Sequence, residues 1–431
     1  MRTLISDDLR PMSTSVTTDV LGGHLVNTRQ IRRTAVRLAG VVVILATAVA
    51  AAGPAPAADR RVNARSDSPT WAAGTGVLTL DWGDLDKTPQ AARGDVVVMQ
   101  SWEYPRIPEL RRRHPGITIL MYKDASAVVK EAESATGRFP AGMGYDWVAA
   151  HHPSWFLRDR AGQQLEWSDW RGLYPMDVAD PGYQQTWSQN VLAELRQHRW
   201  DGVMMDDVLT ILSHPTVAGR VSTRIPDDAA QYAATGSFLA HVAPQIRRAG
   251  YLAVPNVSLE WDNWRTALRD WTPYVSGWEN EHFTNWPGTS ERFVGADWRW
   301  KFDAARWLAA RRVPLLAVGY GPADDRVRQT YERATWLLSW NGRTGASVYV
   351  PDETDSSHWL PASTRSVGRP AGPAVENADG TWSRRFTRGI VVVNPTAASR
   401  PVTLRTSYRR GERSVRSVRL APTTAAILDN R

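Results

Sequence analysis

Cysteine is absent from the 431-residue sequence. Disulfide bonds and thiolate chemistry are therefore excluded, although this absence does not decide the compartment. The sequence also lacks the GxSxG turn of serine hydrolases and the HExxH helix of zinc enzymes. His151 and His152 are adjacent, and adjacent side chains cannot easily share one tetrahedral ion. We therefore expect no cofactor and no metal, with a divalent cation at Asp206 and Asp207 as the minor alternative.

The sequence has no basic block with interleaved aromatic residues, so we expect no nucleic-acid partner. Its net charge is +8. The first 57 residues contribute +3 through six Arg and three Asp, and we expect the remaining +5 to be spread along the chain. Hydrophobic residues make up 42% of the chain and charged residues 22%, as in a globular protein.

The N-terminal segment has the features of an export signal. Four arginines precede an apolar run at residues 38–52, and small residues suited to cleavage follow it. This run is about 15 residues long, which is short for a membrane-spanning helix. We predict a signal peptide over residues 1–57, with an uncleaved N-terminal anchor as the alternative, and a linker over residues 58–70. The mature protein would begin at Ala58 and would be secreted or held at the cell surface, contacting a membrane only if the segment is uncleaved.

Short apolar runs rich in strand-forming residues recur along residues 71–355 and alternate with helix-like segments. Several runs are apolar on both alternating faces, as parallel strands covered by helices require. This alternation predicts a (β/α)8 barrel. The alternative is an open doubly wound sheet, which usually shows a Gly-rich phosphate turn after its first strand, but the stretch LDWGDLDKTP has none. The predicted strands are residues 77–82, 95–103, 117–124, 202–207, 252–258, 274–281, 313–320 and 345–352.

The connection from the third to the fourth predicted strand is long, which is typical of functional loops. It contains a predicted hairpin around residues 161–162. Further on, Asp180 can cap a helix and Pro181 can take its first position, with Trp187 and Leu195 on the buried face. The stretch YPMDV could itself be a strand, but nine candidates would then compete for eight places.

The tail of the chain changes pattern. Residues 356–379 are rich in Ser, Pro and Gly, which predicts a linker. From residue 380 onward, short alternating runs lie between turn signals, which predicts a small antiparallel β-domain over residues 380–431. Its predicted strands are residues 390–393, 402–404, 415–420 and 425–428.

Polar and aromatic side chains stand at the ends of the predicted barrel strands. In (β/α)8 barrels the active site lies at the C-terminal ends of the strands. Any one of these residues could instead cap a helix or close a turn. Together they predict a functional cleft. In strand order the candidates include Asp81, Trp102, Tyr122, Lys123, Asp124, Asp206, Asp207, Asn256, Glu279, Glu281 and Tyr320.

Paired carboxylates without a thiol or a phosphate loop suit glycoside hydrolysis. One carboxylic acid protonates the leaving oxygen, and the other acts as nucleophile or as base on a water. The 21 Trp residues agree with a carbohydrate substrate, because the CH faces of sugars pack on aromatic rings. We expect Trp102 and Tyr320 to contact sugar, whereas Trp187, Trp307 and Trp336 are expected to pack helices.

Three stretches of the sequence resemble a known family: VVVMQSWEYPRIPELRRRHPGITILMYKDAS, HHPSWFLRDRAGQQLEWSDWRGLYPMDVADPGYQQTWSQNVLAEL and WDGVMMDD. The family consists of hypothetical glycosyl hydrolases on TIM barrels and is similar in layout to endo-α-1,4-polygalactosaminidases. The resemblance spans residues 77–351, and the tail resembles the β-domain that often follows such barrels. It implies a glycoside hydrolase acting on a poly- or oligosaccharide and does not specify the sugar.

The family pattern implies roles for particular carboxylates. Asp206, four residues after Gly202, matches the catalytic residue of the fourth strand, and Asp207 would bind substrate or tune the pair. The segment MDVADPGY leads into the helix before that strand, which would place Asp177 near the cleft.

The second catalytic carboxylate should come from the sixth strand. Glu281 stands four residues after Gly277 and two before Phe283, which matches the family pattern. Glu279 remains the alternative, and otherwise would bind substrate.

We expect Asp206 to stay ionised if donors such as Lys123 support it, and to serve as nucleophile or base. Glu281, close to Trp278 in the chain, could occupy a drier pocket that raises its pKa and suits a general acid. A carboxyl separation of about 5–5.5 Å would give retention and about 6.5–9.5 Å inversion, and analogy with related barrels favours retention. The other function class left open is a non-catalytic, carbohydrate-binding cell-surface protein that kept the carboxylates as hydrogen-bond acceptors.

Overall fold

The computed structural model describes residues 71–81, 91–130, 139–287, 289, 291–351, 356 and 359–430. The predicted signal peptide and the predicted linker at residues 58–70 lie outside these ranges. The strands are β1 (Leu78–Asp81), β2 (Val96–Met99), β3 (Thr118–Asp124), β4 (Ala127–Val129), β5 (Leu173–Pro175), β6 (Gly202–Leu209), β7 (Leu252–Ser258), β8 (Trp278–Asn280), β9 (Leu315–Tyr320), β10 (Ala346–Val350), β11 (Val375–Glu376), β12 (Trp382–Phe386), β13 (Gly389–Asn394), β14 (Arg400–Arg410), β15 (Arg413–Leu420) and β16 (Thr424–Asp429). The helices are α1 (Ile107–Arg113), α2 (Tyr145–His151), α3 (Pro181–Gln197), α4 (Asp228–Arg248), α5 (Trp264–Trp271), α6 (Ala296–Ala310) and α7 (Arg326–Ser339).

Eight parallel strands form a barrel in the order β1-β2-β3-β6-β7-β8-β9-β10. A parallel bridge between Val77 and Ser347 joins the last strand to the first, with the Ser347 amide donating to the Gly76 carbonyl at 3.1 Å. The predicted (β/α)8 barrel is confirmed, and each of the eight predicted strands is present. YPMDV is not a ninth barrel strand, because β5 pairs antiparallel with β4 in a separate two-stranded ribbon.

Alternate residues of each barrel strand face opposite layers. On β6, Val203 and Met205 pack against the surrounding helices, whereas Met204 packs inside the barrel. All three are buried, so the strand is apolar on both faces, as its sequence predicts. The same alternation carries the side chain of Asp206, two residues after Met204, toward the inside of the barrel.

Helix α3 begins where the sequence predicts. Asp180 Oδ1 accepts hydrogen bonds from the backbone amides of Gly182 and Tyr183 at 2.8 and 3.1 Å, and Pro181 takes the first helical position. A cap of this kind stabilises a helix by about 1 kcal/mol. Trp187 is fully buried on the inner face of this helix, which fixes α3 against the barrel.

The long connection between β3 and β6 contains the predicted hairpin. Arg158 and Gln164 form an antiparallel bridge, and the Asp159 amide donates to the Gln163 carbonyl at 2.9 Å. The turn lies at residues 160–162, with Gly162 at a φ of +76° that favours glycine. The connection also carries β4, α2 and β5, so it is structured rather than a bare loop.

The tail forms a six-stranded antiparallel sheet in the order β11-β12-β13-β16-β14-β15. The predicted antiparallel β-domain is confirmed. Two strands were not predicted, because β12 carries polar residues at its centre and β11 is only two residues long, within the predicted linker.

Strand β13 of this sheet packs on the barrel through one face and on the β14–β15 hairpin through the other. Val391 and Val393 belong to a core shared with α7, whereas Ile390 and Val392 belong to a second core with β14 and β15. Arg384 strengthens the first contact by donating to the carbonyls of Leu337, Leu338 and Trp340 at the end of α7. The β14–β15 hairpin is therefore the outer layer, separated from the barrel by the rest of the sheet.

Candidate active site

Seven polar side chains converge at the C-terminal ends of consecutive barrel strands. Pairing sets their positions, because Asp124 on β3 is in register with Asp206 on β6, and Asn256 on β7 is in register with Glu279 on β8. Strand alternation points every second residue into the barrel. The cluster consists of Tyr122, Asp124, Asp206, Asn256, Glu279, Glu281 and Tyr320.

Asp206 lies among three hydrogen-bond donors. Its Oδ2 accepts from the Tyr122 hydroxyl at 2.6 Å, and its Oδ1 accepts from the Asn256 amide at 2.8 Å and from the Asp207 backbone amide at 2.9 Å. Burial and then the charge of Asp207 raise the pKa of Asp206 to about 6, while the three donors oppose the rise. Asp206 is therefore mostly ionised at neutral pH.

Glu281 is the second accessible carboxyl of the cluster. The Tyr320 hydroxyl donates to Glu281 Oε1, and the Asn256 side chain also forms a hydrogen bond with Glu281. Burial and then the charge of Asp206 raise the pKa of Glu281 to about 7. One amide thus serves both carboxyl groups, and near pH 7 Asp206 is mostly ionised while Glu281 is about half protonated.

Glu279 and Asp124 lie deeper in the same cluster, each with 1% of its surface exposed. Within the described part of the chain, Glu279 Oε2 and Asp124 Oδ2 have no hydrogen-bond partner. Burial, followed by the charge of Glu281, raises the pKa of Glu279 well above its usual range. Burial, followed by the charges of Asp207 and Asp206, does the same for Asp124. Burial thus favours the neutral form of both groups, although the backbone amides of Ser126 and Ala127 oppose this at Asp124 by donating to its Oδ1.

Asp207 is directed away from Asp206 by the backbone. Its φ of +53° is in the left-handed region, and the pairing of β6 with β7 shifts register at this point. Asp207 Oδ1 lies 3.1 Å from Nε2 of His214, whose Nδ1 lies 2.9 Å from Oδ2 of Asp169. Burial lowers the pKa of His214, but the hydrogen bonds with Asp207 and Asp169 outweigh it and raise the pKa to about 9. The imidazolium also stacks on Trp167, with 4.1 Å between ring centroids, which ties the long connection to the site.

Lys123 faces the helix layer rather than the cleft. It is fully buried, with Nζ 2.8 Å from Oε1 of Glu194 on α3 and donating to the Phe139 carbonyl at 2.7 Å. The prediction that Lys123 supports Asp206 and binds substrate is wrong, because strand alternation points residue 123 outward and Tyr122 inward. Asp206 is instead supported by the neutral donors Tyr122 and Asn256.

Asp81 and Trp102 lie at the ends of the first two barrel strands, as expected. Asp81 is buried and accepts a hydrogen bond from the Ser356 hydroxyl at 3.4 Å, across to the segment that follows β10. Trp102 lies on a short 3-10 helix, Ser101–Arg106, and is partly exposed.

Asp177 makes its contacts on the segment before α3. It forms an ion pair with Arg224 and accepts a hydrogen bond from the Ala179 amide at 3.2 Å. The structure thus ties Asp177 to the loop that follows β6 rather than to the carboxylate pair.

Three residues of the site come from distant elements and have no local sequence signal. His214 and Asp169 meet Asp207 from two loops, as described above. Lys301 on α6 donates to Asn280 Oδ1 at 2.7 Å and to the Glu281 carbonyl at 3.1 Å. Burial lowers the pKa of Lys301 to about 7. Within the described ranges, no three His, Asp or Glu side chains are arranged to hold a metal ion.

The model of the hypothetical glycosyl hydrolase family 15 matches residues 111–390 of the chain. The chain belongs to this family. The match begins at α1 and ends in β13, so it includes most of the barrel and the start of the C-terminal sheet. The family resemblance indicated by the sequence motifs is thereby confirmed. No curated protein matches the chain.

This family 15 member is also similar to solved structures of glycoside hydrolases. The glycoside hydrolase domain of PelA from Pseudomonas aeruginosa is 16% identical, with 65% of this chain and 97% of that one covered at a TM-score of 0.46. The maltogenic α-amylase AmyB from Thermotoga neapolitana is 9% identical, with 83% and 98% covered at a TM-score of 0.45. An α-amylase from Lactobacillus plantarum is 10% identical, with 83% and 99% covered at a TM-score of 0.44. The family assignment rests on the family model alone.

Proposed function

We propose that this protein is a secreted glycoside hydrolase that cleaves glycosidic bonds of a poly- or oligosaccharide. The observation that carries the proposal is the pairing of Asp206 and Glu281 through Asn256, with both carboxyl groups still partly open to solvent. Family membership supports the same class of reaction. Export is supported by the N-terminal sequence pattern. Among the described helices, none combines the length and the apolar character needed to cross a membrane.

The two carboxyl groups suit complementary roles. Glu281, with its raised pKa, donates its proton to the leaving glycosidic oxygen as the bond to the anomeric carbon breaks. Asp206 either attacks that carbon or removes a proton from the attacking water. Tyr122 and Asn256 hold Asp206 in place. The Tyr320 hydroxyl stabilises the carboxylate that Glu281 becomes after it has given up its proton.

Exposure favours Glu281 over Glu279 as the acid. Glu281 keeps part of its surface open, whereas Glu279, two residues earlier on β8, is 1% exposed. A general acid must come within hydrogen-bond reach of the oxygen that it protonates. Glu279 instead contributes to the dry surroundings that raise the pKa of its neighbour.

Aromatic side chains around the mouth suit sugar binding. We assign sugar contacts to Trp102, to Tyr320 and to two exposed tryptophans on the loops that follow β7 and β8. Trp261 is 69% exposed and Trp286 is 41% exposed, which is unusual for this residue type. Their loops follow the strands that carry Asn256 and Glu279, at the end of the barrel where the carboxylate cluster lies.

The test is hydrolysis of α- and β-linked polysaccharides by the purified protein and by matched variants. Asp206→Asn and Glu281→Gln should each lower kcat by about 10³-fold, because each removes one half of the acid and base pair. Glu109→Gln, which alters surface ion pairs with Arg113 and Arg106, is the control and should keep full activity. Loss of activity in Glu279→Gln but not in Glu281→Gln would show that the acid is assigned to the wrong residue.

The pH profile gives an independent check. With Asp206 at a pKa of about 6 as base and Glu281 at about 7 as acid, kcat/KM should be bell-shaped with its maximum between these values. A wild-type protein that binds glycans without turnover, and binds them equally well as Asp206→Asn, would favour the non-catalytic carbohydrate-binding alternative. Proton NMR of the first-formed product would show whether the anomeric configuration is retained.

A further inference from the structure

The C-terminal hairpin concentrates the charge of the chain. Residues 400–420 contain seven Arg and one Glu, a net +6 out of a total of +8. The expectation that the charge outside the first 57 residues is spread along the chain is therefore wrong. The rest of the described chain is close to neutral, so the hairpin is a distinct electrostatic feature.

The fold exposes these arginines together. Strands β14 and β15 direct Val402, Leu404 and Tyr408 on one strand, and Val418 and Leu420 on the other, into the core of the sheet. The opposite side of the hairpin faces away from the barrel. Six arginines of the hairpin are exposed: Arg405, Arg409, Arg410, Arg413, Arg416 and Arg419.

Few acidic groups are available to neutralise this surface. Glu412 lies in the turn between the two strands. Asp429, the carboxylate on the neighbouring strand opposite Arg409, forms an ion pair with Arg365. Within the described ranges, no ion pair joins the six exposed arginines to an acidic side chain. Unpaired guanidinium groups on a rigid ribbon suit polymers that carry carboxylate, sulfate or phosphate groups, which accept paired N–H donors.

The geometry points to an acidic polysaccharide as the partner of this hairpin, bound separately from the carboxylate cleft. The sheet is packed rigidly on a glycosidase-type barrel, so a glycan held here remains attached to the same body as the cleft. The aromatic residue of the hairpin, Tyr408, is 5% exposed, so the surface offers no ring for stacking of nucleobases. The hairpin also has no large exposed apolar side chain that would enter a lipid surface.

The experiment measures binding of polygalacturonate, with neutral dextran as the reference polymer, in the Glu281→Gln background so that hydrolysis cannot interfere. Binding of polygalacturonate should weaken steeply between 50 mM and 300 mM NaCl, because exposed charges are screened at high salt. Replacing Arg405, Arg409, Arg416 and Arg419 with Ser should raise the Kd for polygalacturonate by about tenfold or more. The matched control replaces four exposed arginines distributed over the barrel, Arg112, Arg248, Arg326 and Arg343, with Ser and should change the Kd less than threefold.

Three outcomes would overturn the inference. They are equal weakening by the two four-site variants, equal binding of dextran and polygalacturonate, and tighter binding of a 20-base-pair DNA duplex than of polygalacturonate at the same salt. If the four-site hairpin variant unfolds, the two-site variant Arg409→Ser with Arg419→Ser replaces it and should raise the Kd about threefold. The assay requires no turnover, so its result is independent of the proposed hydrolase activity.

Discussion

At the residue scale, the site shows how two adjacent aspartates acquire different chemistry. Asp206 points inward to two neutral side-chain donors, whereas Asp207 adopts a left-handed φ of +53° and turns to His214. A left-handed non-glycine residue costs about 1 kcal/mol or more, and such residues gather at functional sites. Both residues are aspartates, so their different roles come from the backbone: Asp206 is placed as a potential nucleophile, and Asp207 forms an ion pair with His214.

The sequence predicts which residues form this site better than it predicts where their side chains point. Asp206 and Glu281 were expected from motif offsets, and the structure places them on one shared amide. The prediction for Lys123 is wrong, because strand alternation directs its side chain outward to Glu194. His214 could not be predicted, because its contact with Asp207 depends on how two loops meet.

The raised pKa of Glu281 makes the stability of the fold depend on pH. Its pKa rises from 4.5 to about 7 on folding, so this contribution to stability is fully present below about pH 4.5 and is lost as pH rises through 7. Glu281→Gln mimics the neutral form. We expect the variant to be more stable than wild type at pH 8 by on the order of 2–3 kcal/mol, and equally stable at pH 4.

Urea unfolding followed by tryptophan fluorescence at pH 4, 6 and 8 measures this difference. The surface variant Glu109→Gln should differ from wild type by less than about 0.5 kcal/mol at each pH. A Glu281→Gln variant that is less stable than wild type at pH 8 would mean that the folded protein stabilises the Glu281 carboxylate.

At the element scale, the barrel strands were predictable, whereas strand β12 of the C-terminal sheet was not, for a physical reason. A strand segment buried on both faces is apolar on both, so β2 and the first half of β6 stand out in the sequence. Strand β12 reads WSRRF, yet its Arg384 is held by three carbonyls at the end of α7. A strand whose polar residues are satisfied by a distant helix has no apolar pattern.

Helix α6 has a role at the site that its sequence pattern does not show. Lys301 links Asn280 to the Glu281 carbonyl, just before His282 adopts a left-handed φ of +46°. We expect Lys301→Met to lower kcat about tenfold with little change in KM, because it loosens the turn that aims the acid without touching the substrate. Lys301 carries its charge mainly below its pKa of about 7, so its removal should also raise the pKa of Glu281 and shift the alkaline limb of the pH profile slightly upward.

Steady-state kinetics across pH 5 to 9 would test the role of Lys301. Arg306→Met, which changes an exposed arginine on the same helix, is the control and should leave kcat, KM and the pH profile unchanged. If Lys301→Met loses activity only in proportion to the loss of folded protein, and the pH profile of the remaining enzyme is unshifted, then Lys301 has a structural role only.

At the scale of the whole molecule, the barrel and the C-terminal sheet share a hydrophobic core. Trp382 and Val391 from the sheet pack with Tyr331 and Leu337 from α7 in one cluster. Arg333 on the same helix reaches back to the carbonyls of Gly76 and Thr75 at the start of the barrel. The family match also continues from the barrel into β13. The sheet is therefore a continuation of the barrel's structure rather than an appended module.

This shared core predicts that barrel and sheet unfold together. Calorimetry should show one transition, and Trp382→Ala should lower its midpoint without splitting it, since truncating a buried Trp costs about 3–5 kcal/mol. Trp382 is 4% exposed, whereas Trp261 is 69% exposed, so Trp261→Ala is the matched control and should leave the midpoint nearly unchanged. Two transitions, only one of which moves in Trp382→Ala, would show that the sheet folds independently. In that case the glycan held by the arginine hairpin would no longer be fixed relative to the cleft, because the contact between sheet and α7 could open while the barrel stayed folded.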